Sequence, residues 1–334
     1  MSAELFLAND PRLETVWRAI ILYGGNSATF KFALAKTLLE LRPESGRHIT
    51  LAELAEPYSR NLVEHLKKAD KQGTAPTSNF LKACRQSITG EVTNEKLIET
   101  TVKLGFVNVL NAFHIVDSAT LSRFFDLKQS NSIRDGIVVT DNFSKLLETD
   151  QLGSLEKEAE ARWRLVEAAW EMRISRRLLG IEFDSRTKLL NGVAQYRRVS
   201  LTSCRSALNS YQKGKCFYCN CTISLSNPNL HPHVDHFFPW KLQAETEFRG
   251  DVDGVWNLVL ACRDCNSRKG KKLPTGRLQR KLLTRNNLLI ESHHPLRETL
   301  MNQYGGAGRQ RIERFHEARW KEAQRLGFIV LWEG

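Results

Sequence analysis

Apolar residues recur at helical spacing through most of the first half of the chain. Over residues 28–41 they occupy nearly every side, which predicts a helix buried against several neighbours. Thr50 and Glu53 have the spacing of a capping box, which predicts that a second helix starts there. Another helix is predicted from residue 94 to about residue 111. The pattern therefore predicts a mainly helical N-terminal domain over residues 1–150, although nothing in this region carries a specific chemical signature.

The clearest long helix is predicted over residues 151–180. Trp163, Val166 and Trp170 follow one another at steps of three and four, and charged residues alternate on the other side. We interpret residues 151–200 as a helical connector that packs one domain on the other.

The rest of the chain is predicted to be a small α+β domain followed by a helical extension, because the segment between the two Cys-x-x-Cys pairs has room for about two strands and a loop. The expected fold class is therefore mainly α with one small mixed domain. Residues 201–290 form the mixed domain and residues 291–334 the extension. A basic helix is predicted from Arg309 to Leu326, where Gly327 ends it. The apolar segment 328–332 has to be buried in the fold or against another chain.

Composition is that of an ordinary soluble globular protein. The chain has 334 residues, which suits two or three domains, and it is 41% hydrophobic and 26% charged. No apolar run approaches the ~20 residues that span a bilayer, and the N-terminus lacks the pattern of a signal peptide. Seven cysteines, an odd number, argue against a disulfide framework. We therefore expect a cytoplasmic protein with no membrane partner.

Positive charge concentrates near the C-terminus. The chain has a net charge of +12, and residues 201–334 hold 21 Lys and Arg against 12 Asp and Glu. Nine basic residues and one acidic residue lie between Arg263 and Arg285. Such a stripe predicts binding to backbone phosphates without sequence reading, and the alternative is a solvated helix face. The predicted nucleic-acid contacts are Arg263, Arg268, Lys269, Lys271 and Lys272.

Two Cys-x-x-Cys pairs lie in the mixed domain, Cys216 with Cys219 and Cys262 with Cys265. Each pair aims two thiolates at one point, which suits a structural zinc ion with four sulfur ligands. Cys221 competes with Cys219 for one ligand position, and we favour Cys219 because its spacing matches that of the second pair. The alternative is that these are ordinary reduced cysteines.

The segment from about Lys215 to Lys272 resembles the zinc-stapled HNH endonucleases. Residues 234–239 read Val-Asp-His-Phe-Phe-Pro, which reproduces the Asp-His pair that this family follows with an apolar stretch and often a Pro. Residues 257–269 then reproduce the family's Asn, its apolar run and its Cys-x-x-Cys-Asn with a basic residue one turn later. The resemblance implies a ββα-metal fold with a four-cysteine zinc site. The third letter of the motif is Asn266 rather than His.

The candidate catalytic residues are His236, Asp235, Asn257 and Asn266. Phosphodiester hydrolysis needs a base for the water proton, and His236 is the residue type that takes a proton near neutral pH. Asp235 and Asn266 offer oxygen ligands to Mg²⁺ or Mn²⁺, which would stabilise the charge on the leaving oxygen. The resemblance implies that Asn257 holds the loop or orients the His236 ring.

Strand geometry places a condition on this site. Successive strand residues point to opposite faces, so a bulge or the strand end has to turn Asp235 or His236. His231 and His233 share the face of Asp235, which leaves two readings open, a metal ligand or a surface residue.

The expected function is a metal-dependent HNH endonuclease that hydrolyses DNA phosphodiester bonds, with RNA as the less favoured substrate. The N-terminal half loosely resembles a helical region of bacterial HNH proteins, including some in phage-defence loci. That likeness implies a role in anti-phage defence or restriction, with the N-terminal half as a candidate dock for a protein partner. The alternatives are a zinc-stapled nucleic-acid-binding module that does not cleave, or a nuclease subunit active only within a larger complex.

Overall fold

The chain forms two compact units, Met1–Glu171 and Met172–Gly334. The computed structural model describes all residues except 1, 9, 25–27, 74–76, 117–118, 131–132, 172–179, 185–188, 195–196, 245–251, 293–295, 307 and 329–330. None of the helices in the described ranges has the length and apolar character needed to cross a membrane.

Helices dominate the first unit. They are α1 (Ser2–Ala8), α2 (Leu13–Tyr23), α3 (Phe30–Leu41), α4 (Leu51–Leu66), α5 (Asn79–Ile88), α6 (Asn94–Thr100), α7 (Val109–Ala112), α8 (Asp141–Leu147) and α9 (Leu152–Glu171). The strands are β1 (His48–Thr50), β2 (Ile115–Val116), β3 (Ala119–Thr120), β4 (Phe125–Ser130) and β5 (Ile133–Val139). Strand β5 pairs with β1 on one side and β4 on the other, and β2 pairs with β3, all antiparallel.

The start of α4 is fixed by the predicted capping box. The Thr50 hydroxyl accepts a hydrogen bond from the Glu53 amide at 3.2 Å, and the Glu53 carboxylate accepts one from the Thr50 amide at 2.8 Å. Each bond satisfies a backbone donor that a helix N-terminus would otherwise leave unpaired. Pro57 lies inside this helix rather than at its end.

The helix predicted from residue 94 to residue 111 is in fact three pieces. Helix α6 passes into a π-helical turn, Thr101–Gly105, and α7 follows after a short break. The hydroxyl of Tyr58 on α4 donates a hydrogen bond to the Gly105 carbonyl oxygen at 3.2 Å. This contact with a distant part of the chain accompanies the change in winding, and local sequence periodicity does not register it.

Helix α9 belongs to the first unit, where it packs against α2 and α3. Arg18 on α2 forms an ion pair with Glu158 on α9, at 2.8 Å between Nε and Oε2, and their side chains are 1% and 3% exposed. Trp163 stacks on the ring of His65. The predicted helical connector over residues 151–200 is therefore replaced by a packed core helix followed by strands, because α9 buries its apolar face within the first unit. The side chain of Trp170 lies outside the described residues.

In the second unit, the described residues form α-helices and small sheets. Its strands are β6 (Gly180–Asp184), β7 (Leu189–Ala194), β8 (Arg197–Ser203), β9 (His233–His236), β10 (Leu258–Ala261), β11 (Leu273–Pro274) and β12 (Leu331–Trp332). The helices are α10 (Cys204–Gln212), α11 (Arg263–Lys269), α12 (Gly276–Glu291), α13 (Leu296–Gln303) and α14 (Arg309–Arg325). Strand β7 lies between β6 and β8 in an antiparallel sheet, β9 pairs antiparallel with β10, and β11 pairs parallel with β12. The predicted class, mainly α with a small mixed domain near the C-terminus, is confirmed.

Helix α12 contacts the β10 end of the β9–β10 strand pair through buried polar side chains. Arg285 donates to the Leu258 carbonyl oxygen at 2.7 Å, and Asn286 donates to the Trp256 carbonyl oxygen at 2.9 Å. Burial lowers the pKa of Arg285 to about 10. These bonds satisfy backbone groups at the start of β10, so the strand that faces the candidate site has a fixed support.

Strand β12 pairs with β11, just before the start of α12. The Thr275 amide donates to the Trp332 carbonyl oxygen at 2.8 Å, and the Trp332 ring is buried. Of the apolar segment predicted to be covered, Trp332 is inside the unit, Leu331 is exposed, and residues 329–330 lie outside the described part.

Candidate active site

A cluster of cysteine sulfur atoms joins the turn before β9 to the start of α11. The sulfur atoms of Cys216, Cys219, Cys221 and Cys262 all lie within 4.8 Å of one another. The Cys216 amide donates to the Cys221 carbonyl oxygen at 2.8 Å, and Asn220 takes a positive φ of 60° to complete the turn. The turn therefore holds its thiols toward one point.

The second Cys-x-x-Cys pair meets the first at the N-terminus of α11. Cys262 caps this helix, since its sulfur accepts a hydrogen bond from the Cys265 amide at 3.5 Å, and its own amide donates to the Cys216 sulfur at 3.3 Å. The Cys265 thiol interacts with Cys219 and Cys262. Three of the four predicted zinc ligands, Cys216, Cys219 and Cys262, thus belong to the four-sulfur group, whose fourth member is Cys221. The fourth predicted ligand, Cys265, adjoins this group through Cys219 and Cys262.

The electrostatics of this cluster fit a bound metal cation. Burial, together with the negative charge of Cys216, raises the pKa of Cys265. Several thiols this close cannot all ionise unless a cation offsets their mutual repulsion, and zinc bound by thiolates does so. Cys219 differs: burial opposes its ionisation, but hydrogen bonds that include the Cys221 amide lower its pKa to about 7.

Asp235 lies in the middle of the β9–β10 hairpin, with its carboxylate turned toward α11. Strand β9 is regular, with Asp235 opposite Val259 and His236, its last residue, opposite Leu258. The Tyr218 hydroxyl donates to Asp235 Oδ2 at 2.6 Å, and the Lys269 ammonium lies 3.1 Å from the same oxygen. Burial and the Asp235 charge raise the pKa of Tyr218, so its hydroxyl stays protonated and serves as a donor.

His236 has a different partner, as the alternation of strand side chains requires. Its Nε2 lies 2.7 Å from Asp253 Oδ1, and the side chains of His236 and Asp253 are 12% and 26% exposed. A carboxylate in this position orients an imidazole. The pairing of the strand has no bulge, so regular alternation gives the two motif residues separate partners.

Asn257 is fully buried and holds two backbone segments together. Its Oδ1 accepts from the Phe238 amide at 2.7 Å, and its Nδ2 donates to the carbonyl oxygens of Phe238 at 3.0 Å and Val252 at 2.9 Å. Phe238 follows His236 by two residues and Val252 precedes Asp253. Asn257 therefore fixes the backbone on both sides of the His236–Asp253 contact.

Asn266 is half-buried on α11, and its side-chain amide has no hydrogen-bond partner among the described residues. It precedes Lys269 by three positions, so the two side chains share one face of the helix. Since Lys269 touches Asp235, this face is the one that borders the carboxylate. Carboxylate and amide oxygens are ligand types that a hard divalent cation accepts.

The predicted phosphate contacts divide into two groups. Arg263, Arg268, Lys271 and Lys272 are exposed, and the charged groups of Arg268 and Lys272 lie 5.4 Å and 5.7 Å from the centre of the Trp332 ring. Lys269 is buried, with 1% of its side chain exposed, which sets it apart from the surface role that the sequence suggests. His231 and His233 are exposed.

Comparison with known proteins identifies the region. Residues 216–272 match the family model of the HNH endonucleases, so the chain contains an HNH endonuclease domain, as its resemblance to that family predicts. Neither the comparison with curated proteins nor the comparison with solved structures gives a match.

Two residues around the motif escape sequence reasoning, and a third, Lys269, is predicted only as a phosphate contact. Tyr218 lies inside the first Cys-x-x-Cys pair, at a position that the zinc motif leaves unspecified. Asp253 lies in the segment before Asn257 and belongs to no motif. Lys269 is visible only as one member of a basic run. Each becomes a site residue through a contact with Asp235 or His236, which are distant in sequence.

Proposed function

We propose that this protein is a metal-dependent endonuclease that hydrolyses DNA phosphodiester bonds at the end of strand β9. The observation that carries the proposal is the His236–Asp253 contact of 2.7 Å, made by a motif histidine within a domain that matches the HNH endonucleases. The exposed basic residues of α11 and the segment after it support a polyanionic substrate.

In this proposal the imidazole of His236 takes the proton of the attacking water, and Asp253 stabilises the imidazolium that results. Asp235 and Asn266 would hold the divalent cation. Bound Mg²⁺ or Mn²⁺ supplies positive charge for the oxygens of the scissile phosphate. Asn257 keeps the His236 and Asp253 backbones in place. Zinc at the cysteine cluster is structural, with Cys216, Cys219, Cys262 and Cys265 as its proposed ligands.

Strand scission on supercoiled plasmid tests the proposal. Wild type, His236→Ala and His233→Ala are compared at low salt with Mg²⁺ or Mn²⁺, and DNA binding is measured in parallel. His233 is the matched control because it lies on the same strand but is exposed. We expect wild type and His233→Ala to cleave, and His236→Ala to lose at least ~100-fold in rate while it still binds DNA.

The alternatives give different results in the same assay. A zinc-stapled binding module would bind plasmid in all three forms and cleave in none. A single-stranded RNA substrate in a parallel reaction separates DNA from RNA specificity. Bacterial anti-phage defence or restriction is the biological setting we propose, and it requires that His236→Ala also abolish protection of a host that expresses the protein.

A further inference from the structure

Lys269 is a buried cation in contact with the carboxylate on which the proposed cleavage depends. Its ammonium lies 3.1 Å from Asp235 Oδ2 and donates to the His236 carbonyl oxygen at 2.7 Å. Burying an ammonium is costly unless it is paired and hydrogen-bonded, and both conditions are met here. Asp235 therefore already has a counter-ion within the protein.

The second partner of Asp235 is neutral. Tyr218 donates a hydrogen bond to Oδ2 at 2.6 Å and occupies a lone pair, but it leaves the negative charge in place. The Lys269 ammonium also donates to Oδ1 at 3.3 Å, so each oxygen of the carboxylate already has a partner within the protein. What Lys269 removes is the charge that would attract a divalent cation. Asn266, the other candidate ligand, is neutral and cannot restore it.

We propose that Lys269 is the internal counter-ion of Asp235, and that a divalent cation has to displace its ammonium to reach the carboxylate. This rests on the proposed function for the assignment of Asp235 as a metal ligand. Lys269 then sets the concentration of Mg²⁺ or Mn²⁺ at which the site fills. It is a positioning residue that orients the carboxylate without the metal and competes with the metal for it.

Mn²⁺ binding to the zinc-loaded full chain, followed by electron paramagnetic resonance of free Mn²⁺, tests the proposal without DNA. We expect Lys269→Met to bind Mn²⁺ at least about tenfold more tightly than wild type, because a positive charge next to the ligand is gone. Tyr218→Phe is the matched control at the same oxygen, and Lys271→Met is the control for an exposed lysine nearby. Both should stay within about twofold of wild type.

Three results would overturn the proposal. Unchanged or weaker Mn²⁺ binding by Lys269→Met would show that the ammonium does not compete with the cation. Equal tightening in Tyr218→Phe would show that lone pairs, rather than charge, are limiting. Undiminished binding by Asp235→Asn would place the cation elsewhere.

A measurement on the wild type keeps the proposal testable if Lys269→Met does not fold. Acetic anhydride acetylates accessible amines, and mass spectrometry compares the modification of Lys269 with that of exposed Lys271. We expect Mn²⁺ to increase the modification of Lys269 relative to Lys271, and an unchanged ratio would contradict displacement. The two proposals also fail separately. If Mn²⁺ binding depends on Asp235 but no strand scission occurs, only the proposed nuclease function is refuted. If scission occurs but Mn²⁺ binding does not depend on Asp235, only the counter-ion proposal is refuted.

Discussion

Replacing Asp253 with asparagine removes a negative charge that faces the His236 ring and changes almost nothing else in size. The wild-type contact is 2.7 Å long and both side chains are largely covered. Hydrogen bonds to charged groups contribute roughly 1.5–3 kcal/mol against about 1 kcal/mol for neutral ones. Asparagine keeps at most a neutral bond, so the expected loss in the transition state is the difference, about 0.5–2 kcal/mol, or roughly two- to thirtyfold in kcat. The partial exposure of Asp253 favours the lower half of this range.

The assay is plasmid cleavage at saturating divalent cation, with KM and DNA binding measured alongside kcat. Asp264→Asn is the control, because Asp264 is an exposed carboxylate on α11 and the substitution changes the net charge equally. We expect Asp253→Asn to lower kcat with KM unchanged and Asp264→Asn to stay near wild type. An unchanged kcat in Asp253→Asn, or an equal loss in both variants, would refute the assignment of Asp253 to the catalytic imidazole.

Two further predictions concern zinc and pH. Cys221→Ser should retain zinc, because the backbone amide of residue 221 still donates to the Cys219 sulfur. Cys216→Ser should lose zinc, because it removes a proposed ligand. Zinc analysis of the purified proteins by mass spectrometry checks both. Burial, with a contribution from Arg123, lowers the pKa of His114 from 6.5 to about 4. Between these pH values the unfolded chain binds a proton at His114 that the folded chain does not bind. The contribution of the neutral imidazole to the free energy of unfolding is therefore complete above about pH 6.5 and is lost toward pH 4, by up to ~3 kcal/mol. Urea unfolding of wild type and His114→Gln across this range checks the prediction.

If Cys221→Ser loses zinc and Cys265→Ser retains it, the fourth ligand is Cys221 rather than Cys265. A decline in stability with acid that is identical in His114→Gln and wild type would contradict the role of that imidazole.

The parts of the structure that sequence predicts best are those governed by neighbouring residues. Thr50 and Glu53 form their capping box because both bonds close within one turn of backbone. The π-helical turn at Thr101–Gly105 could not be predicted in the same way, because it accompanies a bond between Gly105 and Tyr58, which lies 47 positions earlier.

The candidate site divides along the same line. Residues of the HNH motif can be identified because each of its pieces is a short run with fixed spacing. Asn257 is one of them, and its side chain bonds the backbone at Phe238 and Val252. The sequence does not predict which side chains of the basic run are buried. Lys269 and Lys271 are both lysines of one basic run, yet the first is inside against Asp235 and the second is exposed. Only the packing of α11 on β9 separates them.

The Arg18–Glu158 ion pair has a consequence for how the first unit acquires its structure. Its two halves come from the second and last helices of that unit, so a nascent chain that stops before α9 leaves a guanidinium in the core without its carboxylate. We therefore expect the first unit to complete its fold only after residue 158 has been synthesised and a long loop has closed. A shortened version made for partner searches should extend through Glu171, because one cut at residue 150 leaves the Arg18 guanidinium without its carboxylate.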